Sequence, residues 1–474
     1  MDDPTERSEA PGQPLPEAWL SRRRASTFAA LLLLVAAAIA TARVDRAWSD
    51  PRCTLVTSQA ILKTGSIKLD YLGAKQLRRY GAAVVQKNGH YYNYFPLGAP
   101  VLALPLVAVT EALGFDVVKQ EVDARTQRLQ VMLIEVGCAA LLVLIADLYL
   151  SWGWALLVSA LFWFGTSFAS SQATALWSHD FAAFFALLAL YLALAPFERF
   201  RRGGLLVGLC LFLAYFCRPT LALLTPFLLL YLWWRRRSWV FDCGLTVILG
   251  LAAFMSFSQY EFQELLPAYY LPERLSNPEF WKALYANLVS PSRGIFVFSP
   301  LLALPIFFAS GARRALAGRL PTMLLAIAWP VSHVIAISQF PHWWGGFSFG
   351  PRLATDMLPG AFILLCLAVE GALRAGSRWL APTLGVLGLA SVAINTGQGL
   401  NNPATIEWVS PPSIDDEPER LFDWGDPQFL ATEAKNERRS RQATKQSAAV
   451  IRPRRKQPEK PEKRENKTKR KQRH

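Results

Sequence analysis

Charge is scarce in this 474-residue chain: 18% of residues are Asp, Glu, Lys or Arg, whereas 52% are hydrophobic and the mean hydropathy is +0.22. That scarcity excludes an ordinary water-soluble domain. Histidine is also rare, five in all. No His-Glu-x-x-His pair, Gly-rich phosphate loop or Gly-x-Ser-x-Gly elbow occurs, which removes the common soluble-enzyme fingerprints. Of the six cysteines, five (Cys138, Cys210, Cys217, Cys243, Cys366) lie in or beside apolar runs, leaving Cys53 in a polar loop. They form neither a disulfide framework nor a zinc spacing, and the sequence implies no metal or cofactor.

The net charge of +15 suggests a nucleic-acid partner until it is located. Residues 435–474 hold seventeen Lys/Arg against four Glu, which leaves +13 there and +2 for the rest of the chain. The basic segment has no aromatic interleaving, so it is expected to be a disordered tail and no nucleic acid is expected to bind.

What is abundant is apolar sequence. Runs lie at 26–42, 97–115, 129–150, 154–170, 180–197, 204–234, 239–258, 294–311, 322–340, 357–373 and 380–398, and most match a hydrocarbon core about 30 Å thick. They are continuously apolar, without the period of two that a membrane barrel requires, so the spans are helices. The expected fold is an all-α polytopic membrane protein of about 10–11 transmembrane helices embedded in the lipid bilayer. Its parts are a polar N-terminal segment (1–21), a transmembrane domain (22–398), an extension (399–434) and the basic tail (435–474).

Basic clusters at Arg22–Arg24, Arg199–Arg202, Arg235–Arg237, Arg313–Arg319 and Arg374–Arg378 mark cytoplasmic loops under the positive-inside rule. The first run is read as a retained anchor with a cytoplasmic N-terminus. Parity then requires that one run before Arg199 does not cross. The weakest is 97–115, which opens on Phe95-Pro96-Leu97-Gly98-Ala99-Pro100 and contains Pro105 and Glu111. It is assigned to the outer face, within a long first loop (43–128) that also carries amphipathic stretches at Thr54–Leu62 and Tyr71–Tyr80. The run 204–234 should be two short helices broken at Arg218-Pro219. The outward segments are then 43–128, 171–179, the turn at Arg218, 259–293, 341–356 and everything after 399.

Most of the distinctive polar residues fall on that face. Ionisable groups near membrane depth are costly and so are functional candidates. Asp50, in Trp48-Ser49-Asp50-Pro51, is either a helix-end carboxylate or a base, whereas Asp45 between Arg43 and Arg46 reads as a helix-end group. His179-Asp180 opens an apolar helix, where Asp180 either favours the positive helix terminus or faces a ligand. His333 reads as a core histidine and Asp415-Asp416-Glu417 as a solvated loop. The strongest cluster is His342-Trp343-Trp344-Gly345-Gly346-Phe347-Ser348-Phe349-Gly350-Pro351-Arg352, which offers flat indole surfaces and a planar guanidinium suited to phosphate. Arg293 in Ser290-Pro291-Ser292-Arg293-Gly294, and Arg218, are further outward arginines. The three serve either one anionic ligand or internal ion pairs with residues such as Asp50 and Asp180. The string His90-Tyr91-Tyr92-Asn93-Tyr94-Phe95 supplies interfacial anchors or a binding surface.

With these residues the chain resembles the GT-C superfamily of membrane glycosyltransferases, which includes the protein mannosyltransferases and the aminoarabinose transferases of lipid A. The resemblance covers about residues 22–430. It rests on one span followed by a long outer loop opening on Asp50, an apolar surface element after Tyr94-Phe95-Pro96-Leu97-Gly98, and the late Arg352. SPSRGIFVFSP (290–300), WWGGFSFGPR (343–352) and LFDWGDPQFL (421–430) look like a poorly characterised bacterial branch. The resemblance implies transfer of a sugar from a polyprenyl-phosphate donor to a glycan, lipid or protein acceptor outside the plasma membrane. Asp50 would be the general base, Arg352, Arg293 and Arg218 would hold the donor phosphate, and His179, Asp180, His342, Trp343, Trp344 and Tyr94 would contact substrate. The chain departs from that group at Pro51, where many relatives carry a second acidic residue, and at Ser151-Trp152-Gly153, which lacks the usual basic residues. A non-catalytic carrier or a transporter of the same fold is the other class that fits.

Overall fold

The computed structural model describes residues 22–47, 49–196, 202–309 and 319–451. The polar segment 1–21, most of the basic loops at 199–202 and 313–319, and residues 452–474 of the tail lie outside the described residues. The regular elements among the described residues are helical apart from one short antiparallel hairpin, Val84–Lys87 with His90–Asn93. This is the all-α polytopic membrane protein expected.

Among the described residues six helices are long and apolar enough to cross a membrane: Arg23–Ala40, Gln120–Asp147, Arg237–Phe262, Leu320–Ser338, Arg352–Arg374 and Leu380–Leu400. A seventh arises if Trp152–Phe164 and Ser167–Thr174, bent by 43° at their junction, form one span. Two of the runs counted among the 10–11 become shorter apolar helices, Ser178–Leu194 and Gly203–Cys217, and the run 97–115, which is not counted as crossing, is the short helix Gly98–Ala112. At 1.5 Å per residue, fifteen residues reach only about 23 Å.

The break at Arg218-Pro219 is present. The helix Gly203–Cys217 ends there, a 3-10 turn follows at Pro219–Leu223, and the helix Leu224–Arg235 resumes the path. Pro219 has no N–H to donate and pushes Arg218 into an extended conformation, φ −147° and ψ 111°. The arginine is thereby turned off the helix axis and into the protein.

One large apolar core joins the helices from Arg22–Ala40 through Leu380–Val392. The first loop builds a core of its own, in which Cys53, Val56, Ala60, Leu69 and Leu72 are buried under the helix Thr54–Thr64. Cys53 is therefore a core residue and not a polar-loop thiol, because it ends the turn Asp50–Cys53 and caps the largely buried helix Thr54–Thr64. Residues 399–434 are likewise not a separate appendage. Ala404, Trp408, Val409, Ile414 and Leu421 pack with Trp343 and with Ala283 and Ala286 of the helix Phe280–Val289.

The basic tail differs from expectation over 435–451, which continue a helix, Glu433–Ile451. Its first turns are tied down: the buried Asn436 side chain donates to the Ala404 carbonyl at 2.9 Å, and Arg439 pairs with Asp426 and lies 5.8 Å from the Trp408 ring centre. These tertiary contacts order a segment whose composition alone argues for disorder.

Candidate functional site

Four stretches assigned from charge parity to one face, although far apart in sequence, meet around one cavity of about 660 Å³. Its wall includes Asp50 and Arg52, Tyr80 and Tyr94, Tyr269 and Arg274, His342, Gly345 to Phe347 and Arg352, and Asp415.

Asp50 and Arg352 pair on its wall. Pro51 favours the tight 3-10 turn Asp50–Cys53 that puts Asp50 at the cavity wall. Arg352 opens a second 3-10 turn, Arg352–Met357, after a loop whose glycines are required. Gly345 has φ +71°, and at Gly350, φ +56°, an added Cβ would stand 2.5 Å from the Phe298 ring. The Arg352 guanidinium pairs through Nη1 with Asp50 Oδ2, donates through Nη2 to the Gly345 carbonyl at 2.7 Å, and stacks 4.4 Å from the Trp177 ring centre. Its Nε is buried and has no hydrogen-bond partner.

Beneath Arg352 lies a buried polar network centred on Asp356. His179 Nδ1 is 2.6 Å from Asp356 Oδ1, while Arg218 Nε at 3.3 Å and Thr220 Oγ1 at 2.7 Å both donate to Oδ2. Arg218 also donates to the Tyr269 hydroxyl at 2.8 Å, and Tyr269 lines the cavity. The network fixes the turn that presents Arg352.

Arg293 does not reach the cavity. Its guanidinium, 1% exposed, donates to the carbonyls of Trp344 (2.7 Å), Ser292 (2.6 Å), Gly346 (3.2 Å) and Ser348 (3.4 Å) and to Gln428 Oε1 (2.7 Å). It clamps the Trp343–Gly350 loop to the extension. Arg46, which sequence reasoning passed over, braces the same loop by donating to the Phe347 carbonyl at 3.1 Å. Burial first, then Arg46 and Arg352, pull the Arg293 pKa down to about 9. Three guanidiniums thus crowd around this loop, and Asp50 is the carboxylate that pairs with one of them.

The remaining candidates divide. His342 lines the cavity and its Nε2 is 2.8 Å from Asp415 Oδ1, which also accepts the Trp344 indole N–H at 2.8 Å. Asp415 is exposed, but it is an anchor for the loop as well as a solvated residue. Tyr94 lines the cavity and packs edge-on against Tyr269. Trp343 is buried in the core shared with Trp408. His179 and Asp180 are buried and absent from the cavity wall; both Asp180 carboxylate oxygens lack a hydrogen-bond partner. His333, as expected, is a core residue, with Nε2 2.9 Å from the Leu353 carbonyl. Among the described residues no group of three or more His, Cys, Asp or Glu could hold a metal ion.

Sequence reasoning missed Arg274. Its guanidinium lies 4.1 Å from the Tyr269 ring centre, 4.6 Å from Phe340 and 5.9 Å from Tyr94. It stands where the cavity meets an apolar groove of about 280 Å³ lined by residues such as Tyr215, Leu223, Leu271 and Ile337; Tyr269, Arg274, Phe340 and Leu353 belong to both. The only signal in the sequence was the outward loop 259–293 itself.

No protein-family model matches the chain, and no curated protein matches it. Among solved structures it is similar to the crystal structure of ArnT from Cupriavidus metallidurans bound to undecaprenyl phosphate. The identity is 14%, with 83% of this chain and 80% of that chain covered and a TM-score of 0.45. A likeness of that degree carries no argument about this chain.

Proposed function

We propose that this membrane protein is a glycosyltransferase that moves a sugar from a polyprenyl-phosphate donor to an acceptor at the extracytoplasmic face of the plasma membrane. The observation that carries the reading is the continuity of a polar, arginine-bearing cavity with an apolar groove through Tyr269, Arg274, Phe340 and Leu353. A lipid phosphate needs that pairing: guanidiniums for the head and an apolar channel for the chain. The resemblance in Asp50, Trp343–Arg352 and Leu421–Leu430 supports the same class.

The chemistry runs through the Asp50–Arg352 pair. A donor phosphate entering the cavity competes for Arg352 and Arg274 and releases the Asp50 carboxylate. Asp50 then takes the proton of the acceptor hydroxyl as its oxygen bonds to the anomeric carbon. The bond from that carbon to the phosphate oxygen breaks on the opposite side with inversion, and the polyprenyl phosphate leaves with its charge held by the arginines. A carrier without chemistry is the second reading; what favours it is that Asp50 is already engaged by Arg352. Purified protein supplied with a panel of polyprenyl-phosphate sugars and acceptors distinguishes the two. Transfer from at least one donor is expected, whereas tight lipid binding with no turnover on any donor makes the protein a carrier.

A further inference from the structure

The helix Glu433–Ile451 carries a charge pattern that the cavity does not use. Its body-facing side holds the buried Asn436 and the half-buried Arg439, Ser440 and Ala443. Arg438 and Arg441 are exposed and, with Lys445, recur at i, i+3 and i+7, positions that share the opposite stripe of the helix. Arg441 pairs at 3.3 Å with Glu437, the single acidic residue among positions 435–451. Beyond Ile451 the chain adds twelve Lys/Arg and three Glu over 452–474. Neither the helix nor that segment contains an aromatic residue or a leucine, so this basic arm lacks both the anchors that insert into a bilayer and the rings that stack on bases.

The extension fixes where the arm starts. Asp426 pairs with Arg439, and Trp424, two residues earlier, is 62% exposed. The core of the extension packs on Ala283 and Ala286 of the helix Phe280–Val289, which also exposes Trp281 (77%) and Tyr285 (58%) one turn apart. That helix is joined to the end of a span: the Asn287 side chain donates to the Ser338 hydroxyl at 3.0 Å, and Asn277, just before the helix, donates to the Ser338 carbonyl at 2.9 Å. Ser338 closes the apolar helix Leu320–Ser338. Amphipathic rings exposed at the end of a span belong at the bilayer surface, so the arm starts at that level. Asp415 of the same extension lines the larger cavity, which puts arm and cavity on one face of the membrane.

We infer that the helix Glu433–Ile451 and residues 452–474 form a basic arm that binds the anionic lipid headgroups around the cavity mouth. Residues 435–474 carry a net charge of +13, and their attraction to a negative surface falls off within a Debye length of about 8–10 Å at ordinary salt. A polyanion must therefore lie beside the arm to hold it. The bilayer is that neighbour, because it begins where the span Leu320–Ser338 ends, and the 23 residues after Ile451 extend to at most about 80 Å. The recognised group is the phosphate of the headgroup, read by charge and not by shape. This contact needs no sugar chemistry, and it adds to the proposed function a second hold on the membrane beside the cavity.

The test keeps the full chain in lipid nanodiscs. The six native cysteines are buried, so Thr468→Cys takes a spin label selectively, and its spectrum separates surface-bound from free label. The bound-to-free ratio is expected to be at least about tenfold higher in discs with about 30 mol% phosphatidylglycerol than in phosphatidylcholine discs at about 0.1 M salt, and to fall to the neutral value at about 1 M. Arg438→Gln, Arg441→Gln and Lys445→Gln together, which keep good helix formers, should lower the ratio at least about threefold with an unchanged melting temperature. An equal ratio in neutral and anionic discs, a ratio insensitive to salt, or no effect of the triple variant would overturn the proposal. Binding of the label by duplex DNA or polyphosphate with none by phosphatidylglycerol would overturn it as well and assign the arm to a soluble polyanion.

Discussion

Asp50 and Arg352, 302 positions apart in sequence, are joined by an ion pair between Asp50 Oδ2 and Arg352 Nη1 on the wall of the larger cavity. One is a carboxylate just past the first span, the other the closing arginine of the Trp343–Arg352 loop. The pair couples the base proposed for the acceptor to the cation proposed for the donor, so neither can be altered without changing the charge on the other. Arg352 in turn stands on the Asp356 network of His179, Arg218 and Thr220.

Arg352→Lys should weaken lipid-phosphate binding even though the charge is kept. A lysine cannot pair with Asp50, reach the Gly345 carbonyl and stack on Trp177 at once. Loss of one charged hydrogen bond, about 2 kcal/mol, corresponds to roughly thirtyfold in Kd. Titration with undecaprenyl phosphate measures it, and an unchanged Kd would remove Arg352 from the site.

Arg274→Ala should also weaken lipid binding with little change in the melting temperature, because its half-buried guanidinium rests on the half-buried rings of Tyr269 and Phe340 at the junction of cavity and groove. Arg274→Lys should retain part of the affinity through the remaining cation–π contact. Equal binding by Arg274→Ala and wild type would place the phosphate elsewhere.

Arg293→Ala should act on stability. The substitution leaves the Trp344 carbonyl without its donor, at about 1–3 kcal/mol for a group left unmet, and takes a charged donor from the Gly346 and Ser348 carbonyls and from Gln428, which keep the Ser348 N–H, Gln428 Nε2 and Gly350 N–H respectively. The expected result is a lower melting temperature in detergent or loss of folded protein. A folded, stable variant with selectively lost donor binding would instead give Arg293 the phosphate role inferred from sequence.

The fold class was legible in the sequence because continuous apolar runs record the bilayer directly, and the segments that basic clusters assign to one face do meet around one cavity. Asp50, Arg352, His342 and Tyr94 each stand out in their local sequence context, and all four line the larger cavity. Arg293 was misplaced because sequence shows that an arginine lies at the mouth of a span but not which carbonyls surround it. Asp356 gave no local signal; its partners His179 and Arg218 lie 177 and 138 positions away. Arg274 gave no local signal, since the aromatic box around it is assembled from three separate segments. The helix Glu433–Ile451 was hidden because its order depends on Asp426, Trp408 and Ala404.

Truncation after Ala434 tests that last point. Loss of the Asn436 hydrogen bond and the Arg439–Asp426 pair should cost about 2 kcal/mol, read as a lower melting temperature with membrane insertion intact. An unchanged melting temperature would show that the helix adds nothing to the body.

Asp50→Asn tests the proposed general base most directly. Asparagine keeps the size and a carbonyl acceptor for Arg352 but cannot take a proton from an acceptor hydroxyl. With a donor and acceptor on which the wild type turns over, the variant should bind undecaprenyl phosphate and remain folded while its kcat falls by about 10²- to 10⁴-fold, the range for loss of a general base. Wild-type kcat in Asp50→Asn would contradict the account.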